Sequence, residues 1–400
     1  MKNNKSNKWM KPRHKLVRNI LYAVLKPYSK IKYGITAEPF KEQNGRQYLI
    51  LINHQTAFDQ FFVGMAFKGS VYYVASEDLF SKGWVSSLIR YLVAPIPIKK
   101  QTTDVRAVLN CMKVAKEGGT IAIAPEGNRT YSGKTEYMSP SIVPLARKLE
   151  LPIALFRIEG GYGVHPRWSD VVRKGKMRGY VSEVIEPEEY EQLSNDELFE
   201  RIKEGLYVDE AVNDYKFYHK KSAEYLERVL YVCPYCSLSR FESKNDIIRC
   251  TKCDRQIRYL PTKELQGIGF DLPFRFVADW YKYQCDFINE LNLAPYINTP
   301  MYEDTVNLFE VIPYKNKKLL QKDVALSLYG DKLVIGEQGL QFDEILAISV
   351  LGRNKLNIYH NDKIYQIKGD KRFNALKHVN IYFHHKNVKG GDSNDKFLGL

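Results

Sequence analysis

The chain has 400 residues, 44% apolar and 26% charged, which is a globular composition and too long for one ordinary domain. This excludes disordered, collagen-like and coiled-coil chains, and no stretch of about 18 residues is both apolar and uncharged, so no membrane-spanning helix is expected. Of the net charge of +14, ten Lys and Arg precede the first acid, Glu38, leaving only +4 for the rest. The partner implied by charge is therefore sought at the N-terminus.

Residues 15–27 place Leu16, Val17, Ile20, Leu21, Val24 and Leu25 at helical spacing, bordered by Lys15, Arg18 and Asn19. Pro27 is expected to stop this helix. Arg18 and Lys26 interrupt the apolar core and no small-residue cleavage site follows, which argues against a secretory signal. Residues 1–34 thus read as a basic amphipathic segment that associates with an anionic membrane surface. The expected location is peripheral, on the cytoplasmic face. The competing reading is a helix docked on the protein's own core.

Next come apolar runs at 48–52, 71–75, 92–98, 120–124 and 152–158, alternating with helical patterns at 58–67, 79–91, 104–117 and 141–149. In 104–117, Val105, Val108, Leu109, Met112 and Ala115 share a face. Thr103 or Asp104 caps it, and Gly118-Gly119 ends it. The alternation predicts an α/β domain with a mostly parallel sheet flanked by helices, spanning 35–225. Polar residues follow the carboxyl ends of three runs, the edge where ligands bind in open α/β sheets.

After the first run, His54 and Asp59 lie five apart, and they meet only if the chain turns between strand and helix. A carboxylate on one imidazole nitrogen fixes the tautomer and raises the basicity of the other, which makes a general base for an alcohol. There is no G-x-S-x-G nucleophile. After the fourth run, Glu126-Gly127-Asn128-Arg129 supplies a turn and a guanidinium suited to phosphate. Lys99 and Lys100 add charge after the third. Chance occurrence of the His-Asp spacing, and a surface turn with a Glu126–Arg129 ion pair, are the bland alternatives.

These blocks resemble the glycerophospholipid acyltransferase family, whose 1-acylglycerol-3-phosphate acyltransferases are membrane-bound. Its N-H-x4-D block matches Asn53, His54 and Asp59. Its P-E-G-x-R-S block matches Pro125, Glu126, Gly127 and Arg129, with Thr130 for serine. Lys100 stands where arginine is usual, and Asn128 where threonine is usual. The resemblance covers about residues 35–190 and implies transfer of a fatty acyl group from acyl-CoA or acyl-ACP to a lysophospholipid hydroxyl, in phospholipid biosynthesis. His54 is then the base and Asp59 its partner, with Asn53, Lys100, Glu126, Gly127 and Arg129 as substrate-binding residues. The two departures bear on the acceptor's head group. A same-fold enzyme acting on another lipid or lipid-linked acceptor, and a catalytically idle membrane scaffold, are the alternatives. The Gly-rich turn at 159–163 reads as structural, with an acyl-donor pocket as its rival.

Cys233-x-x-Cys236 and Cys250-x-x-Cys253 are 13 residues apart, the pattern of a zinc ribbon with four thiolates and no open position, hence structural zinc. A single iron fits the same ligands. Acids interleave with the nearby basic residues, so no nucleic acid partner is expected. The ribbon is placed at 226–260 and a helical linker at 261–300. Strands from 301 to 388, closed by one helix, resemble a PH- or GRAM-like β domain suited to a lipid head group or a partner. A flexible tail is expected at 389–400.

Overall fold

A computed structural model describes residues 8–80, 82–98, 104–211, 213–312 and 316–390. They form two compact units. The first takes the described residues of Met1–Gly127, Met138–Gly161 and Lys176–Val208; the second takes those of Asn128–Tyr137, Tyr162–Gly175 and Asp209–Leu400. The division does not follow the linear boundaries expected above, because two loops of the α/β region belong with the C-terminal half.

In chain order the α/β region comprises α1 (Pro12–Tyr33), β1 (Ile35–Ala37), β2 (Leu49–Ile52), α2 (Asp59–Ala66), β3 (Val71–Ser76), α3 (Trp84–Val93), β4 (Ile96–Ile98) and α4 (Val105–Lys116). It continues with β5 (Thr120–Ile123), α5 (Ile142–Leu149), β6 (Ile153–Glu159), α6 (Gly161–Val164), β7 (Met177–Ile185), α7 (Pro187–Tyr190) and α8 (Asn195–Leu206). The sheet order is β1-β7-β6-β2-β5-β3-β4, with β6, β2, β5, β3 and β4 parallel and β7 antiparallel to β6. Leu49, Leu51, Ile121, Ile153 and Leu155 are fully buried. Strands covered on both faces are apolar throughout, and each such side chain contributes roughly 1.5–3 kcal/mol. The Asp104 carboxylate accepts from Ala107 N–H at 3.1 Å and caps α4.

Two expectations are corrected here. Leu92 and Val93 finish α3 rather than begin a strand, so β4 is only three residues long. Helix α1 runs through Pro27 and ends at Gly34, whose left-handed backbone donates to Lys30 O at 3.1 Å. Proline removes one intrahelical donor, and the turns on either side hold. One face of α1 is docked: His14 and Ser29 are buried, and Arg18 donates to Gly64 O at 3.1 Å and Phe67 O at 2.6 Å. The opposite face leaves Leu16, Ile20, Val24 and Ile31 exposed. No helix among the described residues is long and apolar enough to cross a membrane.

In the second unit β8 (Val232–Cys233) and β9 (Ser237–Leu238) form a hairpin. β10 (Phe241–Lys244), β11 (Ile247–Cys250), β12 (Gln256–Tyr259) and β13 (Leu265–Gly267) form an antiparallel meander. β13 lies inside the expected linker, so the small sheet extends past 260; the helix of that stretch is α9 (Val277–Glu290). The β-rich part contains β14 (Tyr302–Glu310), β15 (Lys318–Leu328), β16 (Lys332–Ile335), β17 (Gln338–Gln341), β18 (Ala347–Leu351), β19 (Lys355–His360) and β20 (Lys363–Lys368). Their antiparallel order is β17-β16-β15-β14-β20-β19-β18, and α10 (Leu376–Gly390) packs on β18. α10 reaches past the expected tail boundary at 388, and 391–400 lie outside the described residues. Asn361 and Asp362, with φ of 49° and 57°, make the tight turn between β19 and β20.

Candidate active site

Strands β2, β5 and β6 run parallel, so their following loops leave the same sheet edge. The β2 loop turns sharply into α2 and closes the five-residue gap: His54 Nδ1 donates to Asp59 Oδ2 at 2.6 Å. Asp59 Oδ2 also accepts from Gln55 N–H at 3.0 Å, and Oδ1 accepts from Thr56 N–H and Thr56 Oγ1, both at 2.9 Å. All four partners are donors, and the carboxylate sits in the first turn of α2, where the helix dipole favours negative charge. Its side chain is 3% exposed against 29% for His54. The acid is thus buried while the imidazole reaches the surface.

Two residues expected to bind substrate make contacts that hold the loop. Asn53 is fully buried; its amide donates to Ile158 O at 2.8 Å and accepts from Ile158 N–H at 2.7 Å, fastening the loop to β6. Buried Glu126 accepts the His54 backbone N–H at 2.6 Å and ties the β5 loop to the β2 loop. Gly127 is exposed in a left-handed turn. Arg129 lies two residues further on, in the second unit, where its carbonyl accepts from Arg167. Lys99 and Lys100 lie outside the described residues.

Two further features shape the β2 loop, and the second, Gln55, was not singled out in the sequence. The Gly-rich turn supports the β2 loop: a Cβ at Gly161 would lie 2.6 Å from Gln55 Cβ and 2.8 Å from Thr56 Cγ2, so only glycine lets the two loops touch. Gln55 itself is fully buried, and its side-chain amide has no hydrogen-bond partner among the described residues. Its position beside a histidine was the only signal available.

Residues 35–158 match the family model described as Acyltransferase. A 1-acyl-sn-glycerol-3-phosphate acyltransferase of Bacillus subtilis (strain 168) is 22% identical over 136 residues, covering 34% of this chain and 65% of that relative's length. The crystal structure of the 1-acyl-sn-glycerophosphate (LPA) acyltransferase of Thermotoga maritima aligns at 22% identity and a TM-score of 0.41, over 49% of this chain and 80% of that one. Residues 35–158 are an acyltransferase-family domain. The His54-Asp59 pair and the Glu126-Gly127 turn both lie within this acyltransferase domain.

Outside the acyltransferase domain, Cys233 and Cys236 sit on the β8–β9 hairpin, Cys250 ends β11, and Cys253 lies on the turn that follows. Their sulfurs all lie within 4.8 Å of one another, with Cys236–Cys250 at 3.4 Å and Cys233–Cys253 at 3.8 Å. Zn–S bonds of about 2.3 Å in a tetrahedron require sulfurs about 3.8 Å apart, so the four fit one metal ion. Burial raises the Cys250 thiol, but the Ser239 hydroxyl and nearby backbone N–H groups outweigh it and bring the thiol down to about 7. Burial pushes the Cys233 and Cys236 thiols the other way, up from the ordinary thiol value.

Proposed function

We propose that this protein transfers a fatty acyl group from acyl-CoA or acyl-ACP to the hydroxyl of a lysophospholipid, with 1-acylglycerol-3-phosphate as the acceptor. His54 Nε2 takes the acceptor's hydroxyl proton as that oxygen bonds to the thioester carbonyl carbon. The carbon–sulfur bond then breaks, and the imidazolium returns the proton to the leaving thiolate. The products are an ester and a free thiol, and His54 ends as it began. Asp59 holds the imidazole in the tautomer that leaves Nε2 as acceptor. Proton transfer of this kind contributes roughly 10²–10⁴ in rate. The observation that carries the reading is the 2.6 Å contact between His54 and the buried Asp59, in a chain without a serine nucleophile elbow. Arg129 holds the acceptor's phosphate in this reading, and the family resemblance gives Lys100 the same role.

A groove of about 260 Å³ supports a lipid substrate. It lies between α1, α2 and β3, and Leu21, Leu25, Phe61, Met65 and Val71 give it an apolar wall that takes part of a hydrocarbon chain. The exposed face of α1, with Lys15, Lys26 and Lys30 around it, and the exposed stripe Trp84, Leu88 and Tyr91 of α3 support peripheral contact with an anionic membrane. Zinc in the four-cysteine cluster has a structural role, since four thiolates leave no position for substrate.

The test is turnover by purified protein on a panel of lysolipids with both acyl donors. The expected product is the diacyl phospholipid from 1-acylglycerol-3-phosphate. Absence of any acyl product with either donor sinks the proposal.

A further inference from the structure

Helix α4, in the first unit, has an outer face that the acyl-transfer reading leaves unused. Its Ala107, Cys111, Val114 and Ala115 are buried, and the helix packs on β4 and β5. Val105 and Leu109 are 63% and 58% exposed, although their spacing with Met112 reads as a buried stripe. Lys113 continues the same row in steps of four, and Arg106 and Lys116 flank it. All three cations are exposed. From Val105 to Lys116 the helix has no acid. An apolar ridge set in charge of one sign has the make-up of an interaction surface.

The sheet topology places this face. α2 and α3 carry the chain from β2 to β3 to β4, toward one edge of the sheet, and α4 and α5 carry it back from β4 to β5 to β6. Right-handed crossovers running in opposite directions put their helices on opposite faces. Accordingly α1 packs on α2 and α3, whereas α4 packs on α5. The α1 and α3 surfaces proposed for the bilayer thus lie on the other face of the sheet, which leaves the α4 ridge to a partner in solution. Because α4 follows a strand parallel to β2, it starts at the same carboxyl edge as the His54 loop. β4 stands three places from β2, about 14 Å at the usual strand spacing.

We propose that the Val105–Lys116 ridge docks the protein part of acyl-ACP, a small acidic carrier that holds the acyl thioester on a pantetheine arm, and that this carrier form is the preferred donor. Acyl-CoA offers the same arm and thioester with a nucleotide beyond them. A nucleotide calls for a concave pocket with a few convergent polar groups. A convex ridge on 12 residues of helix, about 18 Å long, instead suits a helix of a protein partner. Apolar side chains of that helix cover Val105 and Leu109, and its carboxylates meet Arg106, Lys113 and Lys116. The arm then reaches the His54 loop along the carboxyl edge of the sheet. The inference rests on the reading of this domain as an acyltransferase that uses His54.

The experiment measures KM and kcat of the full-length protein for acyl-ACP and for acyl-CoA of the same chain length, with 1-acylglycerol-3-phosphate as acceptor. Wild type is compared with Arg106→Glu and Leu109→Ser, whose folding is checked by thermal unfolding. For Arg106→Glu the KM for acyl-ACP should rise about tenfold or more, with little change in kcat and no comparable rise for acyl-CoA. Leu109→Ser should show a smaller rise on the same donor. The wild-type KM for acyl-ACP should climb with salt, more steeply than that of Arg106→Glu. An unchanged KM, or an equal rise for both donors, overturns the assignment; so does a wild type that uses acyl-CoA and not acyl-ACP, with acyl transfer left standing. Leu109→Ser that loses binding to anionic vesicles while its KM for acyl-ACP holds gives the ridge to the membrane and overturns it too. A wild type that forms ester with neither donor overturns the underlying reading and this one with it.

Discussion

His54 Nδ1 lies 2.6 Å from Asp59 Oδ2, and the same carboxylate gathers the backbone N–H groups of Gln55 and Thr56. One buried acid thus shapes the loop and sets the tautomer of the base. Asp59→Asn turns half of this acceptor into a donor facing donors. The expected outcome is a fall in kcat of about 10²–10⁴-fold and a lower melting temperature. Steady-state kinetics and thermal unfolding measure the two effects; an unchanged kcat would separate Asp59 from the chemistry.

Gly161 tests the packing behind the loop. Its substitution by alanine puts a methyl group 2.6 Å from Gln55 Cβ. The β2 loop must shift, at a cost of about 1–3 kcal/mol. Turnover should fall by at least tenfold while the chain still folds, because a small misplacement of the base weakens catalysis strongly. Activity at the wild-type level would mean that the loop position is not critical.

Much of the first unit was legible because its signals are local. Asp104 and Gly118-Gly119 punctuate α4, and the unbroken apolar runs of β2 and β5 announce strands covered on both faces. The His54-Asp59 pairing was legible because five residues spanning a strand-to-helix turn suffice to bring the groups together. The loop-holding contacts of Asn53 and Glu126 were not legible because their partners, Ile158 and the His54 backbone, are 105 and 72 residues away. Arg167 reaches Gly352 across 185 residues, a separation that no periodicity encodes. The apolar stretch 340–350 is divided between β17 and β18 by a turn that buries Phe342 and Ile345 and so keeps the run apolar.

The four cysteines predict metal-dependent folding. One zinc per chain is expected by elemental analysis of the purified protein. Cys250→Ser, or treatment with a strong chelator, should lower the melting temperature by several degrees and expose the free thiols to a thiol reagent. Full stability without metal would remove the structural role.

The proposed membrane contact is made by the exposed faces of α1 and α3. Replacing Leu16, Ile20 and Val24 together by serine should reduce binding to anionic vesicles at least tenfold, and Trp84→Ser should add to the loss. Binding of the wild type should weaken with salt, as expected for Lys15, Lys26 and Lys30 near the surface. Vesicle co-sedimentation reads both effects, and unaltered binding of the triple variant would place the contact elsewhere.

His165 and His378 are buried and held down at about 3, by burial first and then by Arg129 for His165 and by Lys377 for His378. Below the ordinary value of 6.5, the unfolded chain takes up protons that the folded chain refuses. Stability should therefore be level above about pH 6.5 and fall as the pH drops toward 3, by up to about 1.4 kcal/mol per pH unit for each histidine. Denaturant midpoints across this window should show a shallower slope for His378→Gln; an identical slope would contradict the assignment.

The most direct measurement of the central claim is the rate of ester formation from 1-acylglycerol-3-phosphate by wild type and by His54→Gln, both verified as folded. The account predicts steady turnover by the wild type and a loss of about 10²-fold or more in kcat for the variant. A variant that retains the wild-type rate would show that another group takes the hydroxyl proton.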